Sequence, residues 1–218
     1  MPRRGSARPP VYDRAVDFLL TLAIVLAVFW MARAKVQQQR IALLARFLSG
    51  HSIEKSIESL TEGFLRALGE ADPGRREQVW NLLRTTEQAL CRQMRQLASD
   101  FAAADPAATR VSKLPIWLPL SSAFAGSFDM REALRVHARG ICRAIDEPAA
   151  GSARDRAFAI SAEMLLMQHT CHWFCRSKSV ASARMLARHR TSYEQLVGAV
   201  LPQTRSDYLA LVSLARRA

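Results

Sequence analysis

The sequence predicts an all-α fold, in which a single N-terminal transmembrane helix precedes a helical bundle domain of about six helices with one long apolar loop. Three observations support this prediction. Residues 18–32 contain no charged side chain. Glycine and proline, nine of each in 218 residues, are too sparse for a β-rich or disordered chain. Apolar residues recur at helical spacing through most of the remaining chain, which is long enough for one domain with its own core.

The uncharged run is predicted to be a retained membrane anchor. As a helix it spans roughly 22 Å, whereas a bilayer core is about 30 Å thick, so Arg14, Arg33 and Lys35 must extend toward the headgroups. The alternatives are a signal peptide cleaved at the Ala32-Arg33-Ala34 pattern and a buried helix of a soluble protein. The predicted lipid-contacting residues are Phe18, Leu19, Leu20, Leu22, Ile24, Val25, Leu26, Val28, Phe29 and Trp30.

The anchor divides the chain and suggests its location. The predicted segments are a basic tail (1–14), the anchor (15–35), a stalk helix (36–50) and a helical domain (51–218). Basic residues balance on the two sides of the anchor, so the positive-inside rule gives no orientation. The four cysteines are expected to be free thiols, although their even number leaves room for bridges in a periplasm. The prediction is a single-pass protein of a bacterial inner membrane, with its domain on the cytoplasmic rather than the periplasmic side.

The helices after the anchor have their own start and stop signals. The stalk is predicted to end at Gly50, and Ser52 to cap a second helix that stops at Gly69. Asp72 followed by Pro73 predicts the start of the longest helix of the domain. The remaining helices are predicted over 129–146, about 154–176, from the break near Ser177 to Val200, and from Pro202 to the end. No strand-pairing signal is present.

The segment 111–128 is strongly apolar although its prolines and Gly126 exclude a regular helix. A long apolar loop is unusual, and two interpretations remain open. The loop folds across the helices and completes the core, or it forms an exposed patch that contacts a membrane face or a protein partner. The candidate partner-binding residues are Leu114, Ile116, Trp117, Leu118, Leu120, Phe124 and Phe128.

The chain is basic, with 31 Lys and Arg against 19 Asp and Glu and a formal net charge of +12. Solvated helix faces account for such an excess, and so does attraction to anionic lipid headgroups or acidic partners. Nucleic acid is not predicted as a partner, because no recognition motif is present and the basic residues are not interleaved with aromatic ones.

One short stretch of the predicted 154–176 helix collects side chains that are capable of chemistry. Cys171, His172 and Cys175 fall within a 100° arc of one helix, and their types suit Zn²⁺. Ligands on one helix need a second element to complete a tetrahedron, for which His137 or Cys142 is available. The alternative interpretations are small buried hydrophobic side chains and a redox-active or acylated thiol. His137 itself is expected at a surface or boundary.

No enzyme signature is found in the sequence. There is no nucleophile elbow, no glycine-rich phosphate loop and no zinc-protease helix. The sequence therefore predicts neither a catalytic activity nor a cofactor, and the absence of a catalytic set favours a protein that acts by contact.

Three stretches carry a resemblance to a known family: FDMREALRVHARGI (128–141), AEMLLMQHTCHWFCRSKS (162–179) and HRTSYEQLV (189–197). Together with the N-terminal anchor, they resemble the entry (surface) exclusion proteins of IncI-type conjugative plasmids. The resemblance implies an inner-membrane protein of the recipient cell that blocks redundant plasmid transfer. It implies recognition of a membrane component of the donor's conjugation apparatus, with the lipid bilayer as the second partner and no catalytic residues.

Two other classes of function remain as alternatives. The first is a structural or accessory subunit of a secretion or conjugation machine, whose deletion would reduce transfer from the donor. The second is a thiol- or metal-dependent redox protein that uses Cys171, His172 and Cys175.

Overall fold

A computed structural model describes residues 10–116, 118, 126–147 and 151–213, with side chains described from residue 15 onward. These residues form eight helices and one pair of short strands. The all-α prediction is confirmed, while the strand pair is an addition that the sequence did not indicate. The bundle after the first helix has seven helices rather than about six.

Helix α1 (Pro10–Leu48) continues without a break through the predicted anchor and stalk. It contains an 18-residue window of mean hydropathy 2.3, none of which is buried. Helix α1 is thus long and apolar enough to cross a membrane, a property that it shares with signal sequences near an N-terminus. Because no residue of this window is buried, the alternative of a buried core helix is disfavoured.

Helices α2 (Ile53–Gly69) and α3 (Pro73–Phe101) follow and pack against each other. The Asp72 side chain caps α3 by accepting a hydrogen bond from the Arg75 amide at 2.7 Å, which confirms the predicted start. Ser52 occupies the N-cap position of α2, but its side chain makes no capping hydrogen bond. The predicted start of this helix is therefore confirmed, whereas the capping bond from the Ser52 side chain is not formed.

Helices α4 (Met130–Asp146) and α5 (Ala153–Cys175) form the centre of the domain. Helix α4 packs against both α3 and α5, and its buried residues cover most of its circumference. The largest fully buried side chains of the core include Phe101, Met130, Leu134, Ile141, Trp173, Phe174 and Tyr208. These side chains come from α3, α4, α5 and the last helix of the chain, so the core is built by several helices together.

A disulfide joins Cys91 of α3 to Cys142 of α4, with the two Cα atoms 4.9 Å apart. The prediction of free thiols is wrong for this pair. The reason is that the packing of α3 on α4 brings together two positions that are 51 residues apart in sequence, which no local pattern shows. Cys171 and Cys175 are free.

Three short helices complete the chain: α6 (Lys178–His189), α7 (Tyr193–Ala199) and α8 (Pro202–Val212). The single helix predicted from Ser177 to Val200 is two helices. Arg190 adopts the left-handed conformation, with φ of 52°, and ends α6. Ser192 and Gln195 then form a capping box that starts α7.

Strands β1 (Arg110–Ser112) and β2 (Ser127–Asp129) flank the predicted apolar loop. They pair antiparallel, with Val111 opposite Phe128. Buried backbone that cannot be helical needs other hydrogen-bond partners, and the two ends of the loop supply them to each other. Val111 and Phe128 point into the core, so the ends of the loop belong to the domain interior.

Candidate functional site

The C-terminal half of α1 is fixed to the domain by polar and aromatic contacts. Arg40 donates hydrogen bonds to the backbone oxygens of Phe174, at 3.1 Å, and of Arg110, at 2.7 Å. Arg176 donates to the buried Gln37 side chain at 2.7 Å. Phe47 packs edge-on against Phe101, with ring centroids 5.1 Å apart. Helix α1 is therefore an integral element of the domain and not a loosely attached tether.

The covered side of α1 extends into its apolar half. Residues 29, 33, 34, 36, 37, 40, 43, 44, 47 and 48 are buried or half-buried, and at 100° per residue they fall within one half of the helix circumference. The residues between them at 30–32, 35, 38, 39, 41 and 42 are exposed. Burial of one face thus begins at Phe29, within the run predicted to lie in the bilayer.

The predicted partner-binding loop is only partly exposed. Phe128 is buried against Trp173, with ring centroids 5.0 Å apart, so its prediction as a partner-binding residue is corrected: it belongs to the core. Leu114 is half-buried, whereas Ile116 is 55% exposed and Leu118 is 40% exposed. The remaining candidates, Trp117, Leu120 and Phe124, lie outside the described residues.

The first part of this loop is held against the junction of α5 and α6. The Pro115 oxygen accepts hydrogen bonds from the Ser179 amide at 2.9 Å and from the Ser179 hydroxyl at 2.8 Å. The Trp173 indole donates to the Ser112 oxygen at 3.1 Å. Val180, which follows Ser179, is 41% exposed. These contacts hold the backbone that precedes Ile116 against the backbone that precedes Val180. The exposed side chains of Ile116 and Val180, with that of Leu118 two residues further along the loop, are here called the apolar patch.

The Cys171, His172 and Cys175 stretch has the properties of packing residues. Burial raises the pKa of the Cys171 thiol to about 12 and that of Cys175 to about 11, so both are protonated at neutral pH. Cys142 is not available as a further ligand, because it is bonded to Cys91. Among the described residues, no group of three or more His, Cys, Asp or Glu side chains is placed to hold a metal ion.

A buried carboxylate, which the sequence analysis missed, joins α4, α5 and α8. Glu163 on α5 is fully buried and accepts a hydrogen bond from the Leu201 amide at 3.0 Å. Leu201 is the N-cap residue of α8 and has no side chain able to cap that helix, so Glu163 satisfies this amide from a different helix. A single carboxylate within the apolar stretch AEMLLM was the available signal for this role.

Gly140 on α4 makes room for this carboxylate. A Cβ atom at this position would lie 2.5 Å from Glu163 Oε2 and 2.6 Å from Thr204 Oγ1, both closer than van der Waals contact allows. Because Glu163 and Thr204 are both buried, neither side chain has space to withdraw. The three residues therefore form one closely packed structural unit at the crossing of α4, α5 and α8.

Replacing Glu163 by Gln is expected to change the pH dependence of stability. Burial raises the pKa of Glu163 from the ordinary 4.5 to about 7, so the folded chain holds this proton more tightly than the unfolded chain. The protonated Glu163 makes its full contribution to the free energy of unfolding below the ordinary pKa of 4.5. As pH rises from there to the folded pKa of about 7, the free energy of unfolding falls by about 1 kcal/mol per pH unit.

The measurement is urea denaturation of the wild type and of Glu163→Gln across this pH range. The exposed Glu62→Gln variant is the matched control. The free energy of unfolding should fall with rising pH in the wild type and in the control, and this fall should be absent in Glu163→Gln. Equal slopes in all three proteins would contradict the role assigned to Glu163.

A second buried polar group lies beside this unit. His137 is fully buried, which corrects its prediction as a surface or boundary residue, and its Nε2 lies 2.9 Å from Thr170 Oγ1. Thr170 is also within 3.3 Å of the Tyr208 hydroxyl, and the His137 and Tyr208 rings are 5.5 Å apart. Burial lowers the pKa of His137 to about 3, so the imidazole is neutral and serves packing.

A basic groove of about 570 Å³ runs between α3 and α4. It is lined by small side chains, by the four arginines Arg95, Arg135, Arg139 and Arg143, and by the carboxylates of Asp146 and Glu147. Arg135 also pairs with Glu132. Asp146 lies at the groove and pairs with Arg95 at 3.2 Å, and Arg139 lies 3.6 Å from Asp207. The Arg135 and Arg139 side chains remain about half exposed, at 45% and 54%.

The described residues define an α-helical domain that is rigidly continuous with a long apolar helix. Among its buried polar side chains, Glu163 bonds to the first turn of α8 and His137 to Thr170, and its exposed features include the apolar patch and the basic groove. Comparisons with protein-family models, with curated proteins and with solved structures gave no match.

Proposed function

We propose that this chain is a membrane-anchored recognition protein of the bacterial inner membrane, which binds a membrane protein partner through its helical domain. The observation that carries the proposal is the two-part character of α1. No residue of its apolar window is buried, while its following turns are packed into the domain by Gln37, Arg40 and Leu44. Such a helix is suited to hold a folded domain at a bilayer surface.

The potentially reactive side chains of the domain have structural roles, and this supports a protein that acts by binding rather than by catalysis. Glu163 completes the N-terminus of α8, and His137 is neutral within a buried hydrogen-bonded group. The thiols of Cys171 and Cys175 stay protonated because burial raises the pKa of both. The redox alternative therefore lacks an activated thiol. We assign the basic groove between α3 and α4 to the binding of an acidic segment of the partner.

Plasmid exclusion is the most specific form of this proposal. The resemblance over 128–141, 162–179 and 189–197 supports it, and recognition of a donor component needs a specific surface without catalytic residues. The Cys91–Cys142 disulfide bears on orientation, because such bonds persist in oxidising compartments such as the periplasm. We therefore place the domain on the periplasmic side, which a component of a donor cell reaches first, instead of the cytoplasmic side that free thiols would favour.

The experiment is a mating assay in which recipient cells express the chain and donors carry the conjugative element that encodes it. Recipients that express the wild-type chain should acquire the element at a lower frequency than recipients with an empty vector. The Arg135→Glu, Arg139→Glu variant should restore acquisition, because it reverses two exposed charges of the groove. The matched control is Arg75→Glu, Arg76→Glu, which makes the same charge change at exposed positions of α3 and should still exclude.

Equal acquisition by recipients with and without the wild-type chain would contradict plasmid exclusion, and so would a gene that lies on no conjugative element. Reduced transfer when the gene is deleted from the donor would assign the chain to the conjugation machine as a structural subunit. Loss of exclusion in both charge-reversal variants would contradict the assignment of the groove.

A further inference from the structure

We propose that the apolar patch of Ile116, Leu118 and Val180 is a second membrane contact, which inserts into the headgroup region of an anionic bilayer beside α1. The inference rests on the proposed insertion of α1 and adds a peripheral contact by the domain itself. Its occupant is lipid and not the protein partner assigned to the basic groove.

The first argument is position. Arg40 joins α1 to the backbone of β1 and to the end of α5, and Arg176 joins the end of α5 to Gln37. The patch begins a few residues further along both segments, at Ile116 after β1 and at Val180 after α5. Gln37 is seven residues from Trp30, which is roughly 10 Å of helix. The patch is therefore tied to α1 close to the end of its apolar run.

The second argument is the covered face of α1. A helix that left the bilayer before meeting its domain would be exposed throughout its apolar run. Instead, Phe29 and Arg33 are half-buried on the same face as Gln37 and Arg40. If the apolar run lies in the bilayer, part of the domain reaches at least the level of Phe29, and domain surface at that depth meets the interface.

The third argument is charge. Residues 18–53, 110–116, 118 and 164–193 contain no aspartate or glutamate, although Asp17, Glu54, Glu163 and Glu194 border these ranges and the Glu194 carboxylate acts on Lys178. Their basic side chains include Arg33, Lys35, Arg110, Lys113, Arg176, Lys178 and Arg184. Exposed apolar side chains among predominantly basic residues are the composition of an interfacial membrane contact.

The fourth argument is rigidity. The Pro115 oxygen is held by both the amide and the hydroxyl of Ser179, so Ile116 and Val180 keep their relative positions. A preformed patch loses little conformational freedom on insertion, so most of the transfer free energy of its side chains is retained. Together with α1, the patch gives the domain two points of attachment to one bilayer.

The experiment measures depth in the full chain, reconstituted into nanodiscs of phosphatidylglycerol and phosphatidylethanolamine. A bimane label is placed by Ile116→Cys, Leu118→Cys or Val180→Cys in a Cys171→Ser, Cys175→Ser background that keeps the disulfide. Val25→Cys reports insertion of α1. Leu82→Cys is the matched control, because Leu82 is 74% exposed and lies on α3, 19 residues from the Phe101 contact with α1.

Doxyl groups near the headgroup should quench most of the fluorescence at the three patch positions and little at Leu82. Aqueous iodide should quench the label strongly at Leu82 and weakly at the three patch positions. Quenching at Val25 without quenching at any patch position would overturn the second contact while leaving the anchor intact, and iodide access to the patch would then make it available to a protein. Absence of quenching at Val25 would overturn the anchor, and the second contact with it.

Discussion

The Cys91→Ala, Cys142→Ala variant is expected to lose about 4 kcal/mol of unfolding free energy, because the disulfide closes a loop across 51 residues. The bond restricts the unfolded chain, and its removal frees that chain far more than it alters the folded domain. The effect should be seen as a lower midpoint in urea denaturation of the detergent-solubilised full chain under oxidising conditions. The wild type treated with reductant should approach the variant.

The matched control is Cys171→Ala, Cys175→Ala, which removes two thiols and no covalent bond. Its midpoint should change little under either condition. Cys91 and Cys142 also test the orientation of the domain in cells. Alkylation of the wild-type chain before and after reduction shows whether these two cysteines form a disulfide there. If the two thiols are freely alkylated without reductant, the periplasmic placement is wrong.

Gly140→Ala is expected to cost about 4 kcal/mol of unfolding free energy, through overpacking and the loss of a buried hydrogen bond. The added methyl group would overlap Glu163 Oε2 and Thr204 Oγ1. Either α4 moves away from α5 and α8, or the Glu163 carboxylate turns aside and leaves the Leu201 amide without a partner. Circular dichroism during urea denaturation measures the loss.

Gly198→Ala is the corresponding control, because a Cβ at Gly198 would have no atom within 4 Å. Since Gly198 lies within helix α7, the added methyl should stabilise the chain by less than about 1 kcal/mol. Similar losses from the two glycine substitutions would show that the close approach at Gly140 does not determine its effect.

The features that the sequence predicted correctly are those encoded by neighbouring residues. The uncharged run in α1, the Asp72-Pro73 start of α3 and the end of α2 at Gly69 each depend on one or two turns of chain. Helix α6 was joined to α7 in the prediction because the apolar spacing continues through Arg190. The capping box at Ser192 was present in the sequence and would have separated the two helices.

The features that were missed depend on tertiary packing. Cys91 and Cys142 face each other only because α3 packs on α4 in one register. Phe128 has the same apolar character as Ile116, but the strand ladder turns Phe128 inward and leaves Ile116 exposed. Glu163 reads as an ordinary helical glutamate until the N-terminus of α8 is placed against it. Pairing in space, rather than residue type, decides these roles.

The unbroken course of α1 from Pro10 to Leu48 has a consequence for how a partner is met. A hinge between the anchor and the domain would let the domain adopt many tilt angles. With α1 inserted as proposed, a continuous helix restricts the tilt and leaves rotation about the bilayer normal and lateral diffusion. In the proposed membrane-anchored arrangement, a partner that approaches the bilayer surface then meets the domain at a fixed height and has one angle to match. Less rotational entropy is lost on association, so a small, weakly contacting surface suffices for recognition.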